Sequence, residues 1–189
     1  MNIRQAQIEI NKLKSAGKYE AMLKTAAILT KLLAERNVKP IIVGGLSVTI
    51  YTQNDYTTRD IDMVSEGYET IANILGQLDF KKDGRHFYND NIEIAIEIPG
   101  SYLEGDYSKV KKIFIDDENY VYLISIEDII LDRLRAAVHW KSLEDREWGF
   151  KLLASNFDSL DKQYLFEHCQ TQKEVNELDD WFTFIAEQS

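Results

Sequence analysis

Two aspartates, Asp60 and Asp62, stand in the short run Asp60-Ile61-Asp62-Met63-Val64. Side chains on a β-strand repeat every two residues, so both carboxylates project from one face and could together hold a hard cation such as Mg2+. A lone Asp-x-Asp also suits a solvated strand edge, so the residues around it decide what it means. Upstream, Gly44 and Gly45 follow the apolar run Ile41, Ile42, Val43 and precede Leu46, Ser47 and Val48, the order of a strand, a glycine turn and a helix start. Glycines let a backbone approach a polyphosphate closely, and amides near Leu46 and Ser47 would aim donors and the positive end of the helix dipole at negative charge. The same pair also serves a plain strand-to-helix turn.

A third carboxylate comes from the clearest period-two pattern in the chain, where Ile92, Ile94, Ile96 and Ile98 alternate with Glu93, Ala95 and Glu97. One face should enter the core and the other carry the acids. If this strand lies beside the Asp-x-Asp strand, Glu97 or Glu93 completes a set of three carboxylates, enough for two magnesium ions. Both glutamates share a face, so spacing does not choose between them.

The elements that must position these groups follow from periodicity. Residues 2–36 read as two helices broken near Gly17, and a helix is expected from Tyr68 to Leu78. His86 to Tyr88 reads as a strand, and Lys112–Ile115 with Tyr120–Ile124 as a hairpin across the polar run Asp116 to Asn119. Ser125 with Asp128 forms a capping box opening a helix to about His139, followed by further helices. Trp140, Trp148, Trp181, Phe182 and Phe184 are expected to pack that helical part. The expectation is one domain over residues 1–189, with N-terminal helices (1–36), a sheet core (40–124) and a helical C-terminal part (125–189).

Gly44 and Gly45, their spacing to Thr58-Arg59-Asp60-Ile61-Asp62, and the later acidic strand resemble the nucleotidyltransferase superfamily pattern of Gly-Gly or Gly-Ser, Asp-x-Asp and a third acid. Over roughly 41–151 the chain is similar to small prokaryotic proteins related to the AbiEii-type toxins, the segment Glu127 to Leu134 with Trp140-Lys141 and Asp145-Arg146 included. The resemblance implies an α+β nucleotidyltransferase fold, a mixed β-sheet flanked by helices. It implies Asp60, Asp62 and Glu97 as the metal triad and Gly44, Gly45 and Ser47 as the triphosphate loop, with Arg59, Arg133 and Lys141 as further nucleotide-binding positions. Glu97 is preferred to Glu93 because Ile96-Glu97-Ile98 before Pro99-Gly100 resembles the family's third-acid segment. The third acid is Glu where Asp is usual, and Arg133 stands where many toxin relatives carry a nucleotide-contacting lysine. Lys141 and Asp145 are also spaced as an exposed i,i+4 ion pair.

Composition narrows the partners. The 189 residues carry a formal net charge of −10, which opposes sequence-independent binding to a nucleic-acid backbone. Arg4, Glu9, Lys12 and Lys14 interrupt the apolar start and no segment approaches a membrane span, so a cytoplasmic protein without a membrane partner is expected. Cys169 is the only cysteine and is given no role. His86, His139 and His168 are too scattered to form a local metal motif, and none is assigned to catalysis.

The activity expected is Mg2+-dependent transfer of a nucleoside monophosphate from a nucleoside triphosphate to an acceptor hydroxyl on tRNA, a protein or a small molecule. The alternatives are a non-catalytic partner, as a homo-oligomer or a toxin–antitoxin component, and a nucleotide sensor.

Overall fold

A computed structural model describes residues 1–188. The chain divides into two compact units, Met1–Ile124 and Ser125–Ser189. Among the described residues no helix is long and apolar enough to cross a membrane.

The first unit opens with α1 (Ile3–Lys12), begun by a reciprocal cap in which the Asn2 side chain accepts from the Gln5 amide and the Gln5 side chain accepts from the Asn2 amide. Gly17 stands just before α2 (Lys18–Ala34). Then follow β1 (Ile41–Ile42), α3 (Gly44–Tyr51), β2 (Asp60–Val64), α4 (Tyr68–Gln77), β3 (Lys81–Asp83), β4 (His86–Asn89), β5 (Ile94–Glu97), β6 (Lys111–Phe114) and β7 (Tyr120–Leu123). All seven strands form one sheet in the order β3-β4-β5-β2-β1-β7-β6. The β2–β5 and β1–β7 pairs are parallel and the rest antiparallel, so the sheet is mixed as expected.

Alternation decides which face meets the helices. Ile42, Ile61, Met63, Phe87, Ile94, Ile96, Val121 and Leu123 join Ile10, Leu29, Leu33, Ile71 and Leu75 in one buried cluster. Each such side chain contributes roughly 1.5–3 kcal/mol on burial. A one-residue slip of β2 would expose Ile61 and Met63 and bury Asp60 and Asp62, so the apolar residues hold the aspartates on the opposite face.

Two elements depart from the sequence reading. The strand expected from Ile92 begins only at Ile94: the Asn89 side chain accepts from the amides of Asn91 and Ile92, at 3.0 and 3.3 Å, and Glu93 is left-handed at φ 55°. Hydrogen bonds to an asparagine side chain make a turn that competes with the ladder. The second is β3, which no periodicity announced because Lys81, Lys82 and Asp83 are all exposed. It forms by pairing antiparallel with β4 across Gly84, whose φ is +57°.

The second unit is helical: α5 (Ile126–Trp140), α6 (Leu143–Asn156), α7 (Lys162–Glu167) and α8 (Gln172–Gln188). Ser125 caps α5 by accepting from the Asp128 amide at 3.0 Å, and its hydroxyl donates to Asp128 Oδ2 at 2.7 Å. Helices α6, α7 and α8 all pack on α5. Gly149 allows one of these approaches, since a Cβ there would lie 2.7 Å from the Trp181 ring and 3.0 Å from Arg133 Cβ. Trp181 is buried as expected, with Phe150 edge-on to it. Trp140 is not, at 81% exposed. At 3.6 residues per turn it falls off the face carried by Ile130 and Leu134.

Candidate active site

The glycine turn is built against the second aspartate. Gly44 has φ +58°, and a Cβ on it would come within 2.3 Å of Asp62 Oδ2. Backbone conformation and space therefore both require glycine there. The Val43 amide donates to the Asp62 carbonyl at 3.0 Å, tying the turn to β2. Gly45 lies under the approach to that strand, since its Cβ would meet Thr58 Oγ1 at 2.5 Å. No side chain of the preceding residue caps α3, so the amides of its first turn carry the positive dipole end beside the Asp62 carboxylate. Ser47 is fully buried and its hydroxyl donates to the Gly44 carbonyl at 2.7 Å, so its side chain braces the turn.

Strand register assembles the acids. Across the parallel β2–β5 ladder Asp60 faces Ala95 and Asp62 faces Glu97, and across β4–β5 His86 faces Glu97. Asp62, Glu97 and His86 thus form one row over three strands, with Asp60 two residues away on the same face. The Glu97 side chain is 9% exposed; its Oε2 lies 2.9 Å from His86 Nε2 and its Oε1 3.1 Å from Arg85 Nε. His86 Nε2 is also 3.9 Å from Asp60 Oδ2. Thr58 Oγ1 donates to Asp60 Oδ1 at 3.3 Å. One ligand atom each from Asp60, His86 and Glu97 lie within 4.8 Å of one another. Two carboxylates and an imidazole converging in this way fit a divalent cation by donor chemistry. Glu93 is elsewhere, exposed in the turn before β5, with its carbonyl accepting from Lys18 Nζ.

The remaining sequence candidates are less gathered. Arg59 is exposed beside Asp60. Arg133, in the second unit, bridges to Asp145 Oδ1 at 2.5 Å and to Asp132 Oδ2 at 3.3 Å, tying α5 to α6. Lys141 is the left-handed residue that ends α5, at φ 56°. Because the helix stops there, the i,i+4 geometry read for Lys141 and Asp145 does not exist, and Asp145 takes Arg133 instead. His139 meets the buried Glu174 carboxylate at 2.5 Å, a structural pairing.

His86 and Arg85 are the site residues that sequence reasoning passed over. A signal was available: the strands at His86 and Ile94 are close enough in sequence to form a hairpin, and its register brings His86 to Glu97.

The mixed sheet, the glycine turn and the acidic row define a nucleotidyltransferase fold. An antigenic nucleotidyltransferase-like protein from Paracoccidioides brasiliensis shares it with a TM-score of 0.59 at 14% identity, over 83% of this chain and 85% of that one. ANT(2")-Ia, solved in complex with adenylyl-2"-tobramycin, shares it with a TM-score of 0.52 at 13% identity, over 81% of this chain and 94% of that one. Among curated proteins none matches the chain significantly. The chain belongs to the family described as nucleotidyltransferase of unknown function (DUF6036), whose model matches residues 20–188.

Proposed function

We propose that this chain transfers a nucleoside monophosphate from a nucleoside triphosphate to an acceptor hydroxyl, with Mg2+ bound at Asp60, Asp62 and Glu97. The observation that carries the reading is the register that sets Glu97 opposite Asp62, on a face whose glycine turn is pressed against that same aspartate. The acceptor oxygen bonds to the α-phosphorus, the bond from that phosphorus to the bridging β-oxygen breaks, pyrophosphate leaves and the hydroxyl proton passes to solvent. One or two bound Mg2+ ions would offset phosphate charge and lower the acceptor hydroxyl pKa. Asp60 and Asp62 anchor the triphosphate end of the site. The Gly44–Gly45 turn lets the chain approach phosphate oxygens, and the first-turn amides of α3 supply donors that need no reorganisation. Arg59, exposed beside Asp60, adds a cation for the polyphosphate.

The net charge of −10 disfavours a long RNA acceptor. A protein of this fold has been solved with an adenylylated aminoglycoside. Small-molecule and protein hydroxyls are therefore the first acceptors to try. Calorimetric titration with each of the four nucleoside triphosphates, with and without Mg2+, tests the reading. Mg2+-dependent binding that the Asp60→Asn, Asp62→Asn variant loses is the expected result; no binding to any triphosphate overturns it. Binding with no pyrophosphate release across many acceptors would mark a nucleotide sensor.

A second reading, a non-catalytic partner or toxin–antitoxin component that associates through its helical unit, is favoured by Trp140 and Leu143, 81% and 79% exposed. A monomer in sedimentation that binds Mg2+-nucleotide counts against it.

A further inference from the structure

The row of acids contains one donor that the Asp-x-Asp and third-acid pattern does not: a ring nitrogen. His86 Nε2 lies 2.9 Å from Glu97 Oε2 and 3.9 Å from Asp60 Oδ2, so one imidazole nitrogen faces both carboxylates. These three side chains come from β4, β5 and β2, and two ladders fix them: His86 opposite Glu97, and β5 beside β2. Glu97 is 9% exposed, so its carboxylate is largely withdrawn from water and needs a positive partner, while Asp60 is half-buried beside it. The other basic side chain on Glu97, Arg85, is 76% exposed, so it leaves the carboxylate with little loss of packing.

We infer that His86 Nε2 is a ligand of the cation held by Asp60 and Glu97, and that this nitrogen makes the site select a later first-row divalent metal such as Co2+ or Zn2+ over Mg2+. The inference rests on the reading of Asp60 and Glu97 as cation-holding residues. Mg2+ is a hard ion that takes oxygen ligands and keeps much of its water, whereas imidazole suits the later first-row metals. An all-carboxylate triad carries this bias more weakly. With His86 beside Asp60 and Glu97, the cluster offers two carboxylate oxygens and one ring nitrogen. Strand β4, read from the sequence at His86 to Tyr88 but with no role given to its histidine, thereby supplies a specificity-determining residue.

The test uses the full chain without nucleotide. Mn2+ is titrated and followed by electron paramagnetic resonance, and the bound ion is examined by electron spin-echo envelope modulation. Nitrogen modulation is expected, with a frequency that changes when histidine is labelled with the heavy nitrogen isotope, a readout that needs no variant. Competition against Mg2+ should show Co2+ preferred, and His86→Gln, which keeps a donor for Glu97, should reduce that preference about ten-fold and abolish the nitrogen signal. No Mn2+ binding, bound Mn2+ without nitrogen modulation, or an unchanged preference in His86→Gln overturns the inference. Its failure is separable from failure of the proposed function. Mg2+-dependent triphosphate binding without a nitrogen signal rejects only the ligand role of His86. A nitrogen signal without binding of any triphosphate rejects only the transferase reading.

Discussion

Asp62 faces Glu97 directly across the parallel β2–β5 ladder, although a helix and two strands separate them in the chain. Opposed residues in a ladder share a face with their Cβ atoms about 5 Å apart. Glu97 is thus held by backbone hydrogen bonds, and its place does not depend on a loop.

This relationship separates the two glutamates of the acidic strand. Glu97→Gln should lower Mg2+-dependent triphosphate affinity or turnover by about ten-fold or more, because an amide oxygen carries no charge for the cation. Glu93→Gln, exposed in the preceding turn, should leave both within about two-fold. Calorimetry and a pyrophosphate-release assay on the two variants check this, and equal losses would refute the placement of Glu97.

Gly44→Ala should destabilise the first unit by about 1–3 kcal/mol, since alanine is strained at the observed φ of +58° and its Cβ would meet the Asp62 carboxylate. Gly44→Asn tolerates the left-handed backbone better but keeps the contact with Asp62. A urea midpoint in Gly44→Asn nearer to wild type than in Gly44→Ala assigns the larger share to the backbone. Equal midpoints assign it to the contact.

Glu174 sets an acid limit on the helical unit. Burial pushes its carboxyl pKa up, but hydrogen bonds from His139, the Gln170 amide and Thr171, with the Arg135 charge, outweigh it and hold the value below the ordinary 4.5. A folded-state pKa below the unfolded one means that the ionised carboxylate's stabilisation is present above about pH 4.5 and is lost as pH falls through the folded value. Urea midpoints measured downward from neutral pH should therefore drop on the acid side of about 4.5. Glu174→Gln should be less stable at neutral pH and show a shallower acid dependence.

Cys169 should be inert. Burial, then the neighbouring Glu174 charge, push its thiol up to about 11. At pH near 8 almost no thiolate forms, so a disulfide reagent should react slowly with the native chain and fast after denaturation. Fast native labelling would contradict this environment.

Much of the candidate site's geometry was legible because local rules govern it. The period-two run at Asp60 put both aspartates on one face, and the apolar residues Ile61 and Met63 held that face away from the core. The glycine turn before α3 was equally plain. Trp140 was misjudged because aromatic content says nothing about helical phase, and the Lys141–Asp145 pair because i,i+4 spacing assumes a helix that in fact ends at Trp140. Glu93 shared a face with Glu97 in the pattern, and only the Asn89 side chain, which accepts from the Asn91 and Ile92 amides, removed it from the strand.

By itself, then, the amino-acid order determined which side chains share a strand face, where α3 and α5 begin, and that an acidic strand follows the Asp-x-Asp strand. Those depend on alternation, glycine and capping, all set within a few residues. Only the tertiary structure decided that Glu97 faces Asp62, that His86 faces Glu97, and that Arg133 binds Asp145. Register between strands and pairing between helices come from packing a whole core, a competition among distant segments that no local window contains.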